Sequence, residues 1–266
     1  MHKISAQIIL DSINPDGIRL TTLTVVMPKF LVAQINTHRK LSKNSASSRA
    51  VTIEKNIGYV LDSPVTPADF GMPANGKGMQ PKSQLTGTKE VMGKVVWNAA
   101  KYSMIGAAWL LSKIGLSKQW TNRLLEPFVY TTVLISSTEW QNFMNLRMHE
   151  DAQDAMQIVA EAIERAMNTS DPEVVPWGSW HLPYVGIVKD PTDEHFNISI
   201  SCCAQVSFRT LDTSAQKAKR VVNSLTSGIL HASPMEHPAL AINTNSYSNF
   251  DNGWMQYRKF KFGANA

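Results

Sequence analysis

Two periods of apolar residues alternate along this chain. Segments 3–12 (KISAQIILDS) and 19–26 (RLTTLTVV) are rich in β-branched residues and flank Asn14-Pro15-Asp16-Gly17. They predict a hairpin closed by a turn loop. From Pro28 to Asn44, the positions Phe30, Leu31, Ala33, Gln34 and Ile35 predict a helix that runs into a polar end. Residues 40–50, crowded with serine and asparagine, read as a solvated loop. Residues 62–88 hold little periodicity and much Pro, Gly, Ser and Thr, which predicts a long loop of the functional or disordered kind. In 89–116 the series Val91, Val95, Ala99, Tyr102, Ile105, Trp109 predicts a long amphipathic helix ending near Gly115. A second helix is expected over 117–125, and 128–136 (FVYTTVLIS) is a strand or a buried turn. Residues 138–168 predict the longest helix, its buried stripe being Trp140, Phe143, Met144, Met148, Ala152, Met156, Val159 and Ile163. Asp171-Pro172 ends it. A loop with three prolines between Pro176 and Pro191 then fills 172–195, and 196–209 (FNISISCCAQVSFR) alternates as a strand does. A helix is expected from Thr213 or Ser214 to Gly228, before HASPMEH and a basic tail whose Trp254, Gln256 and Arg258 alternate.

Mixed helices and strands without a βαβ rhythm predict an α+β fold. With 266 residues, no internal repeat and no convincing linker, residues 1–266 read as one domain. Apolar residues at 43% and charged residues at 18% fit a soluble globule and exclude a disordered tail or a coiled coil. No uncharged apolar run is long enough to span a membrane, and the apolar stretch at the start is too short for a signal peptide, so a cytoplasmic protein is expected. The net charge of +5 suits any polyanion, from nucleic acid to a phosphorylated metabolite. The two cysteines, Cys202 and Cys203, are adjacent, which fits neither a structural disulfide nor a closed zinc site.

Phosphate-loop, dinucleotide-loop, nucleophile-elbow and zinc-helix patterns are absent from the chain. Three polar groupings remain. The first holds Gln34, His38, Arg39, Ser42, Asn44, Ser47 and Arg49, a set suited to phosphates and a planar heterocycle. The second is Asn142 and Arg147 beside the apolar stripe, where an arginine is either functional or a surface residue lying along its helix. The third is His231-Ala232-Ser233-Pro234-Met235-Glu236-His237, whose histidine spacing across a proline is no standard zinc spacing, so no metal is expected.

The run Thr37-His38-Arg39-Lys40-Leu41-Ser42-Lys43-Asn44-Ser45-Ala46-Ser47-Ser48-Arg49 resembles the signature of the flavin-dependent thymidylate synthases. That signature reads Arg-His-Arg, two residues, Ser, one, Asn, two, Ser, one, Arg. Every fixed position matches except the first, where Thr37 replaces arginine. Asn142-Phe143-Met144-Asn145-Leu146-Arg147, followed by Ala152-Gln153, is similar to a helical segment of the same family, and Arg123 before Pro127 matches a further family arginine. Ala204-Gln205-Val206-Ser207 and His231 to His237 resemble a strand and a segment that precede the signature in most of the family. Here they follow it, so the chain resembles a circularly permuted member of a phage-type branch. Gln205 for Arg, Met235 for Phe and Ser45 for the frequent Glu are departures.

The resemblance implies an α+β mixed sheet with long helices, circularly permuted, and an enzyme that converts dUMP to dTMP. FAD would be the cofactor, methylenetetrahydrofolate the carbon donor and NADPH the reductant, with no thiol nucleophile. It implies flavin contacts at His38, Arg39, Asn44, Asn142, His231, Ser233 and Glu236. It implies nucleotide contacts at Gln34, Ser47, Arg49 and Arg123, and a catalytic Arg147 at the uracil edge. A homotetramer with sites between subunits is implied as well. Two other readings stay open: a relative that leaves a hydroxymethyl group on the pyrimidine, and a non-catalytic nucleic-acid-binding relative, the latter resting only on the basic charge, Thr37 and the tail.

Overall fold

The computed structural model describes residues 3–75, 83–206, 211–244, 249–250 and 253–263. Strands β1 (Ser5–Ile13) and β2 (Arg19–Pro28) form the expected antiparallel hairpin. Asn14 shapes its turn, Oδ1 accepting from the backbone N–H of Asp16 (3.1 Å) and Ile18 (2.9 Å), and Gly17 supplies the positive φ of 79°.

The helix expected from Pro28 is short: a 3-10 turn (Lys29–Leu31) and α1 (Val32–Asn36). Part of the serine-rich run is then a strand, β3 (Ser42–Ser45), with Ser42 and Asn44 buried, and not a solvated loop. Pairing decides this: β3 lies antiparallel along β4 (Tyr130–Ser137), which settles the strand alternative for that segment. Helix α2 (Ile53–Asp62), capped by Thr52, was not expected. Next come α3 (Gly87–Ile114), stopping at Gly115 in the left-handed region, and α4 (Lys118–Thr121), which passes into a 3-10 stretch (Asn122–Phe128). The stripe expected to be the packed face of α3 is mostly exposed: Val91, Val95, Tyr102 and Trp109 face outward, while Trp97, Met104 and Ala108 pack inward.

The helix expected over 138–168 is two, α5 (Gln141–Arg147) and α6 (Asp154–Asn168), and α3 is longer than either. His149 breaks it. Its Nδ1 accepts from the Asp151 N–H (3.1 Å), and its carbonyl accepts from the Ala152 N–H (2.9 Å) and from Gln157 Nε2 (2.5 Å). These bonds close a turn in place of continuing the helical ladder.

The proline-rich 172–195 is not loop throughout. It holds β5 (Glu173–Val174), β6 (Trp180–Leu182) and β7 (Gly186–Val188). The strand expected over 196–209 is instead helical over most of its length, as α7 (Asp193–Ala204), and residues 207–210 lie outside the described residues. A reciprocal cap between Thr192 and His195, and Asp193 and Glu194 in the first turn, favour helix there. Ser199 through Cys203 are all buried, so alternation of small and apolar residues carries no facing information. Helix α8 (Ala215–Thr226) is capped by Ser214 as expected, and β8 (Ala239–Ala241), β9 (Trp254–Gln256) and α9 (Tyr257–Phe262) complete the described chain.

Among the described residues two sheets result, ordered β3-β4-β2-β1-β5 and β7-β6-β8-β9. The α+β class expected from the mixed pattern is therefore the one observed. One face of the first sheet (Leu23, Val25, Val133, Ile135) packs under α6 through Met156, Val159 and Ile163. A polar seam joins the two sheets. His181 on β6 meets Ser12 Oγ through Nδ1 (2.7 Å) and Thr22 Oγ1 through Nε2 (2.8 Å). Thr22 meets Ser136 Oγ (2.6 Å), which meets His237 Nδ1 (2.8 Å). Both imidazoles are fully buried, and burial pushes each down to about 3, so both are neutral at pH 7.

Candidate functional site

The turn between α1 and β3 carries the first part of the signature. The His38 ring is nearly buried against the edge of Phe143 at 5.1 Å. Arg147, at the end of α5, donates from Nε to His38 Nε2 (2.9 Å) and from Nη2 to Thr37 Oγ1 (3.3 Å). A guanidinium can only donate, so His38 Nε2 is unprotonated and Nδ1 carries the proton. Burial, then the charges of Arg147 and Lys43, hold the imidazole below its usual range, in agreement with that neutral tautomer. Lys43 Nζ donates to the His38 carbonyl (2.7 Å) and fixes the turn from behind.

Two hollows open beside this pair. The smaller, about 300 Å³, is lined by His38, Arg39, Asn142, Phe143, Leu146 and Arg147. The larger, about 1000 Å³, is lined by the polar side chains of Gln34, Arg147, Asp151, Gln153 and Asp154 together with the rings of Phe30, Phe70 and Trp97. Gln34 Nε2 donates to Gln153 Oε1 (2.6 Å), joining α1 to the break between α5 and α6. The break that the period of the sequence did not signal is thus what delivers Gln153 to the cavity. A largely apolar and aromatic lining with a few polar groups is the usual make-up of a small-molecule site.

The expected site residues fall into three groups. Gln34, His38, Arg39, Asn142 and Arg147 line these adjoining hollows. Ser47 lines a separate cavity of about 600 Å³ with Lys29, Asn56, Tyr59 and Tyr130. Arg49 and Arg123 are exposed near it, and Asn122 Nδ2 holds their segments together by donating to the Ser48 and Val51 carbonyls (2.8 Å each). Ser233, which opens the 3-10 turn Ser233–Glu236, and His231, two residues before it, are exposed on a third segment. That turn lies beside β3: Gln256 Nε2 donates both to Ser42 Oγ (2.8 Å) and to the Glu236 carbonyl (2.8 Å). Two expected contacts are already engaged within the chain. Asn44 Nδ2 donates to the Cys203 carbonyl (3.1 Å), and the Glu236 carboxylate pairs with Arg258. Gln153, Lys43 and Gln256 are the contributors that sequence reasoning missed. Gln153 stood in the quoted Ala152-Gln153 pair, whereas nothing along the chain marks Gln256.

Ala204 ends α7, Gln205 and Val206 turn away, and Ser207 lies outside the described residues, so that stretch is not the expected strand. Cys202 and Cys203 are fully buried, and burial pushes Cys202 up to about 11 and holds Cys203 well above the usual thiol range. Both are protonated at neutral pH and poor nucleophiles. Replacing both with alanine should therefore leave turnover within a few-fold while lowering the melting temperature. Loss of activity by orders of magnitude in a protein that still melts cooperatively would point to thiol chemistry. Among the described residues no three His, Cys, Asp or Glu side chains gather as a metal site, and no helix is long and apolar enough to cross a membrane.

No family model matches this chain, and no curated protein matches it. Among solved structures it is similar to a UMP/dUMP methylase, PolB, from Streptomyces cacaoi. The form bound with 5-Br UMP gives a TM-score of 0.48 at 15% identity, covering 63% of this chain and 89% of that one. The form bound with 5-Br dUMP gives 0.49 at 16% identity, covering 62% and 90%. At that identity and TM-score nothing about chemistry follows from the likeness.

Proposed function

We propose that this chain is a flavin-dependent enzyme of the thymidylate synthase type. It would add one carbon at C5 of deoxyuridine monophosphate, with methylenetetrahydrofolate as carbon donor and NADPH as reductant. The observation that carries this reading is the hydrogen bond between Arg147 and His38. The two residues are 109 positions apart and belong to separate resembling segments, yet they meet at 2.9 Å where two hollows adjoin.

The donor set suits the reaction. A fixed guanidinium in the lining of the larger hollow would favour the N3-deprotonated uracil, and so raise electron density at C5, where the new bond forms. Neutral His38 holds that guanidinium by accepting from Nε. Arg39 and Asn142 in the smaller hollow offer a cation and an amide, groups that suit the charged and planar parts of FAD. Bound there, FAD would supply the hydride. Ser47, Arg49 and Arg123 stand apart from Gln34 and Arg147, so a nucleotide held by both groups would be completed by a second subunit.

The test is to purify the protein, add FAD, and incubate with dUMP, methylenetetrahydrofolate and NADPH. Bound FAD, and a product whose mass is that of the methylated nucleotide, are expected. A protein that takes up no flavin and leaves dUMP unchanged overturns the proposal, and a hydroxymethyl product would move it to the related reaction.

A further inference from the structure

Helix α3 is 28 residues long, which is roughly 42 Å at the rise of an α-helix. Only one side of it packs on the body, through Trp97, Met104 and Ala108. The opposite side carries Met92, Val96, Ala99, Ser103, Gly106 and Leu110, spaced four, three, four, three, four, and all are exposed. This is the spacing of a helix seam that receives another helix. Val96 is 64% exposed and Leu110 54%. From Val95 to Ser112 the only charge is Lys101, and it is buried. A helix apolar on all sides is normally covered on all sides.

We propose that this face is covered by α3 of a second copy of the chain, antiparallel and across a two-fold axis near Ser103. The seam is self-complementary about that residue. Seven positions on either side stand Val96 and Leu110, four on either side Ala99 and Ala107, and three on either side Ala100 and Gly106. Reversed on itself, it sets small residues against small at the crossing and large against large at the ends. Crossing helices diverge away from their closest point, so bulk belongs at the ends. Gly106 agrees. A Cβ there would meet nothing within 4 Å in this chain, whereas one at Gly93 would run into Met72. Glycine inside a helix is unfavourable without such a reason, and a close helix crossing provides one. The absence of charge on the seam argues against an acidic or basic partner. Val91, Val95 and Trp109 flank the seam and are also exposed. At roughly 150–250 Å² for an aromatic side chain and less for an aliphatic one, the patch approaches the ~800 Å² that one partner contributes to a standard interface.

The test combines sedimentation with cysteine cross-linking of the full chain. The wild type is expected as a dimer, or as an even-numbered assembly, at micromolar concentration. Leu110→Glu should weaken association by on the order of 100-fold, since it buries an unpaired charge, with the circular dichroism of the folded protein retained. Under mild oxidation Ser103→Cys should link to its own copy, while Val96→Cys alone should not. A mixture of Val96→Cys with Leu110→Cys should link, and Asn98→Cys, off the seam, should stay unlinked. The native cysteines are buried and do not compete. A wild type that remains monomeric at tens of micromolar overturns the proposal, as does an assembly indifferent to Leu110→Glu. Self-linking of Val96→Cys overturns the antiparallel arrangement. A monomer that binds phosphatidylcholine vesicles through this face gives the patch to a membrane and overturns the second copy.

Discussion

Replacing Arg147 with alanine is expected to lower turnover by about 10²–10³-fold, the usual loss when one preorganised charge partner at a reacting centre is removed. Arg147 lines both hollows and is held by His38 and Thr37. Its loss should fall mainly on the step in which reduced flavin is consumed by nucleotide and folate. Reduction of the flavin by NADPH needs no ionised uracil and should change less. Arg147→Lys should not restore activity, because one ammonium cannot hold His38 and also present a planar fork. A second readout is independent of turnover. The Arg147 charge is one of the causes holding His38 low, so NMR titration of Arg147→Ala should show the imidazole rising towards its ordinary value. It should stay somewhat below that value, because burial is the larger cause. Wild-type turnover together with an unmoved His38 titration would leave Arg147 as a surface residue and remove the main support for the proposed reaction.

Below pH 6.5 the protein is expected to lose stability steeply. His181 and His237 stay neutral in the folded state down to about 3, while in the unfolded chain each takes a proton near 6.5. The unfolded state therefore binds more protons across that window, and stability falls as pH falls. Each group contributes about 1.4 kcal/mol per pH unit once well inside the window. Together the two groups remove about 5–7 kcal/mol between pH 6.5 and pH 4, as much as the whole stability of a domain at the low end of the typical range of about 5–15 kcal/mol. Melting temperature measured from pH 7.5 to 4 should show this slope. In His237→Leu the slope should fall to about half. Ser136 keeps its bond to Thr22 in that variant, so the fold should survive. A melting temperature that is flat between pH 6.5 and 4.5 would mean that the seam is not closed to protons.

Short-range patterns carried the fold only where one face of an element is dry and the other wet. The β1–β2 hairpin, the Ser214 cap of α8 and the stop of α3 at Gly115 were all legible, because turn chemistry and caps act within a few residues. Helix α7 was misread because it is buried nearly all round, so its residues alternate without facing anything in particular. The break at His149 was missed because it is made by hydrogen bonds that leave the apolar spacing intact.

The same division runs through the candidate site. Residue types and spacing singled out Gln34, His38, Arg39, Ser47 and Arg49 as a set suited to phosphates and a planar heterocycle, whereas they left Arg147 between a functional and a surface reading, and its role came from the family resemblance. Their grouping was decided by tertiary structure. The pairing of β3 with β4, the arrival of α5 over His38, and the separation of Ser47 and Arg49 from Arg147 all depend on contacts about 90 to 110 residues long. The outward face of α3 belongs there too. Its apolar period was plain along the chain, but which side meets the body and which is left for another helix is set by what packs beneath it.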